Sequence, residues 1–315
     1  MAVDTLYRRI KRVLALAAWS LLAGLHGTAA AQAVIVGILE GRVTLLRPAG
    51  KLELAEGVML READIVETAP AAFVQLELAD GVRVGLGESS RLVLAPAVAP
   101  AGSARPRAHL LQGWMKLTPG AEKTAGEFWT PRITIGSLAG TCVLNAEAAR
   151  FALFVENGSI TFAERGKGSP QQQPAKAGDF VSGRAGAALG TAARPEADFI
   201  ERMPRLFRDA LPARAARWRD RPAAPRALGD AGYDDVAVWL QAEAAIRVPM
   251  IEAWRVRLAD KAFRDAVLAH LPQHPEWRPL VIPPKKPEPR PRSIDNEADR
   301  VPAQPAVPMA ASAPP

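Results

Sequence analysis

Cysteine occurs once in the 315 residues, at Cys142, and histidine four times. A single thiol excludes a disulfide framework, so an exported chain of this size has to rely on its apolar core, and Cys142 reads as a small buried residue. The histidines make no convincing ligand set. His270 and His274 are four apart with Glu276 nearby, but Pro272 and Pro275 break the helix that would place both imidazoles on one face. No metal and no cofactor is expected. The sequence also has no G-x-S-x-G, no H-E-x-x-H and no cysteine–histidine pair in a catalytic context, and "GLGESS" (Gly85 to Ser90) lacks the third glycine of a dinucleotide loop, so it reads as a turn. An enzyme is not expected.

Long hydrophobic runs are absent after the first 25 residues. The beginning is different: Arg8, Arg9, Lys11 and Arg12 precede an apolar run from Val13 to Leu25, and Ala31-Gln32-Ala33 supplies a small-x-small cleavage pattern. That run is short of the roughly 20 residues a membrane helix needs. Residues 1–33 therefore read as a cleavable signal peptide, with an uncleaved anchor as the alternative, and the remainder as a periplasmic protein. With the leader's four bases and one acid set aside, 36 Lys/Arg face 32 Asp/Glu. That balance is too weak for a nucleic-acid-binding surface.

From Val34 to about Gly190 short strands alternate with turn residues. In "AFVQLELADGVRVGL" (Ala72 to Leu86) a two-residue loop would put the apolar residues of the two strands on opposite faces. A three-residue loop, with Gly81 in the left-handed position after Asp80, pairs Leu78 with Val82, Leu76 with Val84 and Val74 with Leu86. The other face then carries Gln75, Glu77 and Arg83, with Glu77 across from Arg83; as an exposed polar face it offers Glu77 and Arg83 for interaction. In "FALFVENGSITFAE", Asn157-Gly158 reads as a two-residue hairpin loop, opposing Val155 to Ile160, Leu153 to Phe162 and Phe154 to Thr161. Asn157-Gly158-Ser159 also fits a glycosylation sequon, which the hairpin explains better.

Near Arg194 the apolar period lengthens from two to between three and four. Phe199, Met203, Leu206 and Phe207 share a helical stripe, with Pro204 restarting the helix. A second helix holds Val236, Trp239, Leu240 and Ile246; Pro249 can open a third; Asp260 can cap a fourth, with Phe263, Val267 and Leu271 inward. Between Arg202 and Arg226, eight arginines meet only Asp209 and Asp220, which reads as a solvated helix face, with an anionic envelope surface as the alternative. The tryptophans from Trp114 to Trp277 fall mostly on core stripes, which favours packing over sugar stacking. The layout is a mainly β N-terminal domain of stacked short antiparallel strands (34–190), a small α-helical module (191–280) and a disordered proline-rich tail (281–315).

The stretch "GRVTLLRPAGKLELAEGVMLREADIVETAPAAFVQLELADGVRVGLGESSRLVL" has a Gly-x-Val strand, a Leu/Gly turn, an Asp-Ile-x-x-Thr step and a strand–Asp-Gly–strand unit. Thr130-Pro131, Gly140-Thr141, "VENGSITF" and "AKAGDFV" follow in order. This run, about 150 residues, resembles the FecR domain of bacterial envelope proteins. The resemblance implies a periplasmic sensing or protein-interaction module, best known in regulators that relay ferric-siderophore signals to an extracytoplasmic sigma factor. Those regulators carry a cytoplasmic anti-sigma segment before a membrane helix. Here about twelve residues precede the apolar run, and the family arginine before Gly140-Thr141 is Ala139, so sigma-factor regulation is not expected to carry over. The expected function is non-enzymatic binding of a periplasmic or envelope protein. The alternatives are a cell-wall or glycan-binding module, which would show aromatic side chains in a groove of the β-domain, and a membrane-anchored regulator of a sigma-factor pathway.

Overall fold

A computed structural model describes residues 34–94, 106–121, 126–166 and 171–282. The leader, the cleavage site at Ala33, residues 95–105 and the tail beyond Ile282 lie outside the described residues.

The described strands are β1 (Val34–Glu40), β2 (Val43–Arg47), β3 (Gly50–Glu53), β4 (Met59–Leu60), β5 (Ile65–Thr68), β6 (Phe73–Leu78), β7 (Arg83–Leu86), β8 (Arg91–Leu94) and β9 (Pro106–Thr118). They continue with β10 (Glu127–Trp129), β11 (Ile133–Leu138), β12 (Thr141–Ala146), β13 (Arg150–Asn157), β14 (Ser159–Glu164), β15 (Gln173–Lys176), β16 (Phe180–Arg184), β17 (Gly190–Ala192) and β18 (Arg226–Gly229). The helices are α1 (Ala197–Arg202), α2 (Tyr233–Leu240), α3 (Ala244–Trp254), α4 (Lys261–Ala269) and α5 (Arg278–Val281). The protein is thus mainly β, followed by a few C-terminal helices.

The strands form two facing layers. In the first, which we call the front sheet, the order is β4-β1-β6-β7-β9-β12-β13-β16-β17; in the back sheet it is β18-β3-β2-β5-β8-β9-β10-β11-β14-β15. Strand β9 belongs to both and joins them. Its inward residues are even-numbered at first, Ala108 and Leu110, and odd-numbered later, Met115 and Leu117. The parity changes across Leu111, the extra residue where the β8–β9 register slips between Leu110 and Gln112. Gly113 follows with a φ of +98° that only glycine adopts readily, as the strand passes from the back layer into the front one. Between the layers lies a continuous aliphatic core including Val36, Leu45, Leu76, Val84, Leu110, Leu144 and Leu153.

Both outer faces are also covered. On the front, Phe199, Met203 and Phe207 pack against Ile38, Phe73, Trp114, Val143 and Phe180. On the back, Val236, Trp239, Ile246, Trp254, Phe263 and Trp277 pack against Leu46, Ile65 and Val93. Strands whose two faces are both buried need apolar residues at successive positions, and β12, "TCVLNA", is buried throughout.

The Ala72–Leu86 hairpin has the three-residue loop: Glu77 pairs with Arg83, Leu76 with Val84 and Val74 with Leu86, Leu78 N donates to Val82 O at 2.9 Å, and Gly81 has φ +82°. Asn157-Gly158 is not a hairpin. β13 pairs with β12 and β16 of the front sheet, and β14 with β11 and β15 of the back sheet, so the chain turns a corner at Gly158 (φ +64°). Val155, Leu153, Ile160 and Phe162 all reach the core between the layers. They meet across the sandwich instead of side by side, two arrangements that share one alternating pattern.

Candidate functional site

Residues between α1 and β18 form a strap that crosses from the front face to the back. This is the arginine-rich stretch, and it is not the helix face the charge pattern suggests: beyond α1 it consists of two short 3-10 turns and extended chain. Four of its eight arginines, Arg202, Arg205, Arg214 and Arg226, pair with carboxylates of the β-domain. Arg202 Nη1 lies 2.7 Å from Glu147, Arg214 Nη1 3.5 Å from Glu56, and Arg226 pairs with Glu53 beside the β18–β3 ladder. Trp218 lies against Gly57, and Ala223 bridges to Val58.

The strap is anchored at a carboxylate the sequence placed on an exposed face. Glu77 is 4% exposed. Its Oε1 accepts from Arg214 N at 2.7 Å and its Oε2 from Ala215 N at 2.8 Å, while Gln75 Nε2 donates to Glu77 Oε1 and to the Pro212 carbonyl oxygen. Glu77 is therefore not an outward-facing interaction residue. The two carboxylate oxygens satisfy backbone donors that would be left unpaired when the strap covers the sheet.

Arg83 has a different setting. It lines a cavity of about 350 Å³ between the outer face of the front sheet and strap residues 206–211. Sheet register sets the floor, with Gln75, Gly85 and Lys116 in one row and Arg83 beside Thr118 in the next. Thr141 and Asn157, a register pair at the β12–β13 end, add a polar side, where Asn157 Oδ1 accepts from Thr141 N at 3.1 Å. Phe73, Leu206, Phe207 and Leu211 form the apolar wall. Lys116 Nζ lies 2.8 Å from Glu156 Oε2 and donates to the Phe207 carbonyl oxygen, tying floor to roof.

The turns named from sequence hold this frame together. Asp80 Oδ1 accepts from Arg107 Nη2 at 2.8 Å, with Nη1 2.8 Å from Oδ2. Burial raises the Asp80 carboxyl, but the Arg107 hydrogen bond and charge outweigh it and hold the group below the ordinary carboxylate range. At the other corner, Gly158 and Gly140 approach so closely that a Cβ on Gly158 would lie 2.7 Å from Gly140 Cα.

The remaining chemistry-bearing residues are engaged away from the cavity. Glu276 pairs with Arg247 at 2.7 Å, Tyr233 Oη lies 2.9 Å from His274 Nε2, and His270 Nδ1 lies 2.9 Å from the Ala266 carbonyl oxygen. Burial pushes the Cys142 thiol up, and the Glu156 charge adds to this. Among the described residues the cavity lining carries the carboxylates Glu156 and Asp209 and no imidazole, and its hydroxyl, amide and guanidinium groups can hold a polar ligand. Sequence reasoning missed Lys116, Thr118, Thr141 and the strap residues 206–211. A signal for Lys116 was present, since it is a charged residue alternating with core residues Met115 and Leu117.

No family model matches the sequence, and no curated protein matches it. Two crystal structures of a putative anti-sigma factor from Parabacteroides distasonis ATCC 8503 overlap the fold at 13% and 12% identity, each with a TM-score of 0.34. The overlap covers 44% of this chain and 62% of that one. A likeness of that extent carries no argument about function.

Proposed function

We propose that this is an exported, non-enzymatic binding module of the cell envelope that receives a segment of another protein in the cavity between the front sheet and the strap. The leader at residues 1–33 and the FecR-like order of turns support the location and the class. The observation that carries the reading is the cavity itself: a fixed polar floor and an apolar wall, built on strands and roofed by the protein's own chain. A glycan platform is less well supported, because the aromatic residues of the cavity, Phe73 and Phe207, are 5% and 0% exposed, leaving no open ring face for a sugar. The described tryptophans mostly pack within the protein: Trp114, Trp239, Trp254 and Trp277 are buried, and Trp129 carries the Arg165 guanidinium over its ring.

The test is a photo-crosslinking amino acid at Ala210, an exposed residue at the cavity mouth, with the same group at exposed Ala216 as control. Irradiation of cells should give a protein adduct from position 210 and none from 216. Adducts to peptidoglycan, or equal adducts from both positions, would refute the reading.

A further inference from the structure

Arg83 is left without a carboxylate by the arrangement that fixes the strap. Its register neighbour across β6–β7 is Glu77, but the Glu77 side chain leans over Gly37 of β1, on the opposite side of β6, where Arg214 and Ala215 N–H groups fill it. Of the other ionic groups lining the cavity, Asp209 is exposed and the remaining three are committed elsewhere. Lys116 and Glu156 neutralise each other, and Arg208 Nη2 donates to the Ile200 carbonyl oxygen at 2.7 Å. Among the described residues no hydrogen bond or ion pair engages the Arg83 guanidinium.

Beside it, Thr118 offers a hydroxyl, and Asn157, whose Oδ1 is taken by Thr141 N, retains its amide donors. Leu206 and Leu211 face them as the apolar wall. The space holds about two side chains. A guanidinium receives a carboxylate through two parallel hydrogen bonds, which an ammonium or an amide cannot reproduce. We propose that the cavity recognises an extended peptide carrying one Asp or Glu next to a branched aliphatic residue, with the carboxylate on Arg83 and the aliphatic side chain against the leucines. This rests on the reading of the cavity as the binding site.

The test is selection of a random-heptapeptide phage library on the full chain, followed by affinity measurements with the enriched peptides and their Asn/Gln counterparts. Enriched peptides should pair Asp or Glu with Leu, Ile or Val, and the amide counterparts should bind about tenfold more weakly, in keeping with a charge-assisted paired hydrogen bond. Arg83→Gln should remove that tenfold difference without changing amide-peptide affinity, and Arg83→Lys should restore part of it; circular dichroism checks that both fold. Leu211→Trp, which fills the cavity, should abolish binding of both peptides. Enriched peptides without an acid, or acidic peptides that bind Arg83→Gln as well as the parent, would overturn the ligand class while leaving the cavity reading intact if Leu211→Trp still blocks. No enrichment, or binding indifferent to Leu211→Trp, would overturn both.

Discussion

A side chain on Gly37 would collide with the Glu77 carboxylate: a Cβ placed there lies 2.0 Å from Oε1. Gly37 sits where the β1–β6 register slips between Val36 and Ile38. The bulge and the missing side chain together make the space in which Glu77 turns to meet the strap.

Gly37→Ala should therefore displace the carboxylate and loosen residues 212–218. The expected cost is about 1–3 kcal/mol, the range for overpacking combined with unpaired buried donors. Because the strap is rich in arginine, limited trypsin digestion reads its release directly, and cleavage between Arg214 and Arg221 should speed up before global unfolding. Glu77→Lys, which an exposed polar face would tolerate, should cost about 3 kcal/mol or more by placing an ammonium against two N–H donors. An unchanged midpoint and digestion pattern in both variants would show that the strap is held elsewhere.

The Asp80–Arg107 pair makes a second prediction. The Arg107 side chain is 3% exposed and the Asp80 side chain 24%, so removing the acid strands a cation that water cannot reach. Asp80→Asn should cost about 2–3 kcal/mol, and Asp80→Asn with Arg107→Met together less than Asp80→Asn alone. Chemical denaturation of the parent, Asp80→Asn, Arg107→Met and the double variant closes the cycle; additive losses would mean the pair is not coupled.

Local chemistry was legible in this sequence and layering was not. The Leu76–Val84 register follows from which face must be apolar, and Asp260 caps α4 through Ala262 N at 2.8 Å because a cap depends only on its next few residues. Asn157-Gly158 could not be resolved the same way, since an alternating strand buries the same side chains whether it pairs beside its neighbour or packs across from it. Pro249 reads as a helix start, yet lies inside α3, where packing of Ile246, Met250 and Trp254 outweighs the hydrogen bond lost. The polar face of β6 was misread because the segment that covers it lies about 137 residues away in the chain, and no local pattern reports so distant a partner.

The Ala139–Gly140 corner tests the layered arrangement. A Cβ on Gly140 would lie 2.1 Å from the Asn157 carbonyl oxygen, a backbone atom with no freedom to retreat, whereas one on Gly178 (φ +92°) meets nothing within 4 Å. Gly178→Ala should cost only the left-handed penalty, about 1 kcal/mol, and Gly140→Ala at least twice that. Equal losses in thermal unfolding would argue against the crossed corners.

The last prediction concerns His109, which is fully buried on the back sheet, in register with Val93 and Trp129 on the face the helices cover. Burial, with the Arg165 charge adding to it, pushes its imidazole down to about 3. The folded value lies below the ordinary value near 6.5, so between those limits the unfolded chain binds a proton that the folded chain refuses. Stability from this residue is complete above pH 6.5 and declines as the pH falls toward 3, by about 2 kcal/mol at pH 5. Glu67 and Glu243 lie at the same interface. Burial holds their carboxyls above the ordinary range, so they drift in the opposite sense, and they are common to both proteins in a paired comparison. His109→Leu replaces two ring nitrogens that no protein group satisfies, so at pH 7.5 it should be neutral or stabilising. Urea unfolding at pH 7.5 and 5.0 should show the variant losing about 2 kcal/mol less than the parent on acidification. Equal losses would mean that the imidazole is charged, or solvated, in the folded protein.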